Sequence, residues 1–182
     1  MRTLINKSLK GKIILPLFLS AAIVYTYMLI ISIPKVMSFA GGMKILDMMP
    51  TGYTAGYAEQ LMQTLGEEGR HAYLCNQIPA DMIYPLLFGL SCCLILAYLL
   101  KQIGKFDGPL YYLCFIPIVA AIFDYLENVG IISMLKRYPS EIEAIAKTTS
   151  VFSVIKSFTT TAFFTVLIVL IIIWGIRKIQ KR

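Results

Sequence analysis

In Phe123-Asp124-Tyr125-Leu126-Glu127-Asn128-Val129-Gly130, two carboxylates and an amide interrupt an otherwise apolar run. At helical spacing Asp124, Glu127 and Asn128 share one face, because residues three and four apart are neighbours on a helix. Burying an acid in hydrocarbon costs roughly 2.5 to 3.5 kcal/mol on insertion scales, so such groups face a protein interior or a wet cavity. Two carboxylates one turn apart in a medium of low dielectric constant repel each other when both are charged. A pair of this kind suits three tasks: holding an amine or other cation, relaying a proton, or giving and taking protons in an acid-base reaction. It suits a transition metal poorly, since His71 is the only histidine in the chain and two acids with an amide make a weak donor set. No metal and no cofactor is expected.

These residues must be positioned by membrane helices. With 58% hydrophobic residues and a mean hydropathy of +0.73, the chain is more apolar than a soluble domain, where about half the residues are apolar. The formal net charge of +7 does not describe a nucleic-acid binder. Its basic residues gather in 2–12, 101–105 and 177–182, beside apolar runs, where they act as topology signals. Cys92, Cys93 and Cys114 fall inside apolar runs and Cys75 in a loop, which excludes a disulfide framework or a CxxC site. Ser38-Phe39-Ala40 resembles a signal cleavage site, but the apolar stretch 13–33 exceeds the ~7–15 residues of a signal core.

The pattern predicts an all-α, single-domain integral membrane four-helix bundle. Its spans cover about 13–33, 81–100, 110–135 and 151–174, each near the ~20 residues needed to cross. Pro34 is expected to end the first span and Pro117 to kink the third, with Pro85 in the first turn of the second. Residues 38–49 read as a segment lying against the bundle or in the interface. In the long first loop, 54–73 reads as an amphipathic helix capped by Thr51 or Thr54 and weakened by Gly66 and Gly69. Glu141, Glu143 and Lys147 suggest a short surface helix before the last span. The Lys and Arg bias places both termini in the cytoplasm of a multi-pass cell-membrane protein and the long first loop outside.

At 1.5 Å per helical residue, Asp124 then lies roughly 15 Å below the outer boundary, with Asp81 and Lys156 close to that boundary. The expected result is a cup in the outer leaflet, lined by Asp124, Glu127, Asn128, Asp81, Tyr84, Tyr125 and Lys156, with Arg70 and His71 above it. Each outlying residue also has a plainer reading. Asp81 is placed to cap the second span. Lys156 is placed to snorkel to the headgroups. Arg70 is placed to pair with Glu67, Glu68 or a carboxylate of the third span.

Three function classes fit such a cup: a binding protein for a lipid-like or amphipathic small molecule, a small proton-coupled transporter acting as a homodimer, and a membrane enzyme using Asp124 and Glu127 for acid-base chemistry. A structural subunit whose polar cluster only orients helices is a fourth. The chain has no Walker A loop, GxSxG or HExxH. Four spans, a long helical first loop and acids buried in an apolar bundle are similar in layout to the sterol isomerase and sigma-2 receptor (EXPERA) type. That resemblance implies a pocket for a sterol-like or amine-bearing hydrophobe. The stretches Gly69-Arg70-His71-Ala72-Tyr73-Leu74, Asp81-Met82-Ile83-Tyr84-Pro85-Leu86 and Phe123-Asp124-Tyr125-Leu126-Glu127-Asn128 also resemble those of small bacterial four-span proteins.

Overall fold

The computed structural model describes residues 2–180, and every regular element among them is helical. They form α1 (Arg2–Ser8), α2 (Gly11–Tyr27), α3 (Ile33–Met37), α4 (Ala55–Ala72), α5 (Ile78–Gln102), α6 (Ile116–Arg137) and α7 (Glu143–Gln180). Joined by shorter helical turns, these make four stretches long and apolar enough to cross a membrane: Gly11–Met37, Ala55–Gln102, Pro109–Arg137 and Glu143–Gln180. A multi-pass helical bundle requires this arrangement.

The helix ends depart from the expectation where prolines meet irregular turns. Pro34 does not end the first helix. A π-turn over Met28–Ser32 carries α2 into α3, with the Ile33 N–H reaching back to the Met28 carbonyl. The widened turn makes room for a proline ring that would otherwise meet the carbonyl four residues earlier. Pro117 sits at the start of α6, after a 3₁₀ entry over Pro109–Phe115, where its missing N–H costs nothing. It does not kink the middle of the span. The last helix begins at Glu143, so the expected surface helix is its first turns, carrying an exposed Lys147–Glu143 ion pair.

The second crossing changes most. Thr54 caps α4 by accepting from the Tyr57 N–H at 3.1 Å, and Gly66 breaks that helix with φ 62°, a conformation suited to glycine. A second π-turn, Tyr73–Gln77, then runs α4 directly into α5. Asp81 is therefore not a cap. It lies inside the helix with the preceding turn above it, and Pro85 is an interior proline rather than a first-turn one.

Packing runs in sequence, α2 on α5, α5 on α6 and α6 on α7, with α4 also reaching α7. Lipid tails are as apolar as leucine, so helices in a bilayer associate through close approach and polar contacts rather than through hydrophobic burial. Gly130 shows the first of these: a Cβ there would run into the Thr149 side chain, so only glycine lets α6 and α7 come this close. One apolar cluster joins the loop residues Ile45 and Leu46 to Leu61, Met62, Ile131 and Met134. The other joins Leu96, Leu100, Tyr111, Cys114, Phe163 and Leu170. Along α5, α6 and α7 the buried polar residues fall between these clusters.

Candidate functional site

Lys156 on α7 sits opposite the acids of α6. Its Nζ is 3.2 Å from Asp124 Oδ1 and ion-paired with Glu127. Ser153, one turn earlier on α7, donates to Glu127 Oε1 at 2.5 Å. Glu127 is 1% exposed and Asp124 7%, so this ion cluster is held inside the bundle. The snorkelling reading of Lys156 fails, because two carboxylates offer its ammonium closer compensation than the headgroups do.

Asn128 and Asp81 are tied through the backbone. Pro85 has no N–H to give to the carbonyl four residues back, which is that of Asp81. Asn128 Nδ2 donates to this same carbonyl at 2.9 Å, so an amide on α6 repairs a bond that a proline removes from α5. Asn128→Leu is expected to cost about 1–3 kcal/mol by leaving the buried carbonyl unpaired. Unfolding in mixed micelles measures it, and a variant as stable as the parent would show that the carbonyl is satisfied otherwise. Tyr125 also works as a brace, donating to the Met82 carbonyl at 2.9 Å.

A cavity of about 460 Å³ adjoins the cluster. Asp81, Asp124 and Lys156 line it from three helices, and Asp47 from the loop before α4. Its apolar wall is Tyr25, Met28, Leu29 and Ile33 from the first crossing, with Tyr84 and Phe88 of α5. Tyr25 stacks on Tyr84 with ring centres 5.2 Å apart, joining these two sides. Ser157, Thr160 and Thr161 of α7 add hydroxyl groups to the lining. Tyr25, Leu29 and Thr161 are also exposed on the outer surface of the bundle, so the cavity opens sideways between α2 and α7.

Both π-turns feed this cavity. Ser32 closes the first and donates to Gln77 Oε1 at 2.6 Å, and Gln77 closes the second and donates to Asp47 Oδ2 at 3.2 Å. Asp47 Oδ1 is buried without a hydrogen-bond partner. Burial, followed by the charge on Glu127, raises the Asp47 carboxyl to about 7, against the lowering pull of Lys156.

Comparison with protein-family models, with curated proteins and with solved structures finds no match.

The chemistry of the site follows from its own charges. Among the described residues, four carboxylates, Asp47, Asp81, Asp124 and Glu127, surround one cation, Lys156. Among the described residues, no three His, Cys, Asp or Glu side chains converge as a metal-holding group. The acids are spread around a space instead of aimed at one point. Such a space accommodates a cationic group with its own bulk, or exchangeable protons.

Of the residues expected at the cup, the structure brings Asp81, Tyr84, Asp124 and Lys156 to the cavity wall. Glu127 and Asn128 stand behind the wall, and Tyr125 braces α5. Arg70 is elsewhere: it donates to the Met62 carbonyl at 2.8 Å beside the break at Gly66, and its guanidinium lies 4.8 Å from the Tyr138 ring centre. His71 is exposed, next to Cys75. Asp47 and Gln77 were not foreseen. Their signal was local: a lone acid in Ile45-Leu46-Asp47-Met48-Met49, a segment already expected to lie against the bundle, and an amide just ahead of the second apolar run.

Proposed function

We propose that this protein binds a lipid-like or amphipathic small molecule whose head is a cation, which enters the cavity sideways from the bilayer. The observation that carries this reading is the excess of carboxylates over Lys156 beside an apolar wall that opens between α2 and α7. A cationic head neutralises the acids, and the tail lies along Tyr25, Leu29 and Phe88. The clustering of Lys and Arg at 2–12, 101–105 and 177–182 supports an orientation with both termini in the cytoplasm of a cell-membrane protein and the cavity in the outer half of the bilayer.

Mass spectrometry of molecules retained through gentle purification tests the reading. A stoichiometric hydrophobic amine or quaternary ammonium compound is expected, and bulk lipid alone would count against it. The pH dependence gives a second test. Asp47 is faced by Gln77, Tyr73 and the charges of Asp81, Asp124, Glu127 and Lys156. Its carboxyl is raised to about 7, so it holds a proton at pH 5.5 and is largely ionised at pH 8. Binding a permanent cation favours the ionised form, so affinity rises with pH across this window. A long-chain quaternary ammonium compound is expected to bind about tenfold more tightly at pH 8 than at pH 5.5. Asp47→Asn is expected to flatten that profile, and an equally steep profile in the variant would remove Asp47 from the account.

A further inference from the structure

At the opposite end of the bundle from Asp47, a second cavity of about 810 Å³ lies between the C-terminal ends of α5 and α7. Three cationic side chains line it, Lys101, Arg177 and Lys178, and among the described residues no carboxylate does. Each cation is steadied by a neutral partner. Lys101 donates to Asn6 Oδ1 of α1 at 2.7 Å, Arg177 donates to the Ile103 carbonyl, and the Lys178 ammonium lies 5.2 Å from the Trp174 ring centre. A neutral partner holds the side chain in place and leaves its charge uncompensated. Arg177 also occupies the carbonyl of Ile103, the residue that ends α5, so a backbone acceptor that would repel an anion is covered.

We propose that this cavity holds the phosphodiester headgroup of an anionic membrane lipid. Charge complementarity favours an anion with several acceptor oxygens. The surroundings favour a lipid over a free anion: Trp174 is a residue type that settles at the headgroup level, and the exposed apolar side chains Ile168, Val169, Ile171 and Ile172 precede it on α7. A headgroup seated among Lys101, Arg177 and Lys178 would leave its acyl chains beside that apolar band. Basic pockets between membrane helices are a recurrent way of holding anionic lipid. This site is independent of the acidic cavity and needs no ligand there.

Trp174 is the only tryptophan in the chain, so its emission reports on the cavity directly. The full chain in a nonionic detergent is titrated with short-chain phosphatidylglycerol, with phosphatidylcholine of equal chain length, and with inorganic phosphate. A saturable change in emission with phosphatidylglycerol is expected, weakened by added salt, with little response to the other two. An equal response to phosphatidylcholine would overturn the proposal, and an equal response to inorganic phosphate would replace it with a free-anion site. Lys101→Gln combined with Lys178→Gln leaves the Arg177 contact in place and is expected to weaken phosphatidylglycerol binding roughly tenfold or more. Native mass spectrometry of the same pair, which also checks that the variant remains folded and monodisperse, is expected to show loss of the bound anionic lipid. Unchanged retention by the folded variant would overturn the assignment.

Discussion

Lys156→Met is expected to lower the stability of the protein by about 3–5 kcal/mol, the largest effect of any single substitution considered for the bundle. The reason lies in what stays behind. Asp124 and Glu127 would keep their buried positions on α6 but lose the cation that pairs with both, and among the described residues Ser153 would be left as the one side-chain donor to Glu127. Removing one partner of a buried ion pair strands a charge that water can no longer solvate. The structure also predicts the repair. Lys156→Met combined with Asp124→Asn and Glu127→Gln contains no stranded charge and is expected to recover most of the loss, because neutral groups of similar shape often replace a buried ion cluster at little cost. Titration of mixed micelles with SDS, followed through the helical circular dichroism, measures both. A single variant that unfolds at the parental midpoint would mean that the acids of α6 are not held by Lys156. A triple variant no better than the single one would mean that the lysine stem, rather than its charge, supports the packing.

The contrast between what the sequence made legible and what it hid has a physical basis. Four apolar runs of membrane-spanning length leave little freedom, so the number of crossings was legible, as were the Thr54 cap and the break at Gly66. Asp124 and Glu127 stood out because an acid inside hydrocarbon demands compensation. The plainer readings of Asp81 as a cap and of Lys156 as a snorkelling group fail for a related reason. Capping and snorkelling are local rules that apply at helix ends, and both residues proved to lie away from an end. For Asp81 the cause is the π-turn over Tyr73–Gln77, which keeps the segment before it helical and which no spacing rule in the sequence announces; for Lys156 it is the start of α7 at Glu143, well ahead of the apolar run. The division of labour between Glu127 and Asp124 was hidden as well. One turn apart on the same face, they are equivalent by periodicity, and only the rotation of α6 against α7 turns one to the cavity and the other behind it.

That rotation separates two substitutions that the sequence alone treats alike. Asp124→Asn is expected to weaken binding of a cationic amphiphile by at least about tenfold while leaving the bundle folded, since Asp124 lines the cavity and would lose its charge but keep its shape. Glu127→Gln is expected to act the other way, on stability first, because Glu127 is 1% exposed, does not line the cavity, and is held by Lys156 and Ser153. Its loss removes one of the two ion pairs by which Lys156 of α7 holds α6 and leaves Lys156 paired with Asp124 alone. Binding by the folded fraction should then change by only a few fold, since Asp47, Asp81 and Asp124 still line the cavity. Binding of a quaternary ammonium probe and SDS unfolding, measured on the same preparations, give four numbers for this pair. Equal loss of binding in both variants with no loss of stability would place Glu127 on the ligand after all. Equal loss of stability with no selective loss of binding in Asp124→Asn would make the acids of α6 a structural cluster, with the cationic head seated elsewhere. The predicted pattern, with binding lost in one and stability lost in the other, arises only if α6 presents Asp124 to the cavity and Glu127 to the helix behind it.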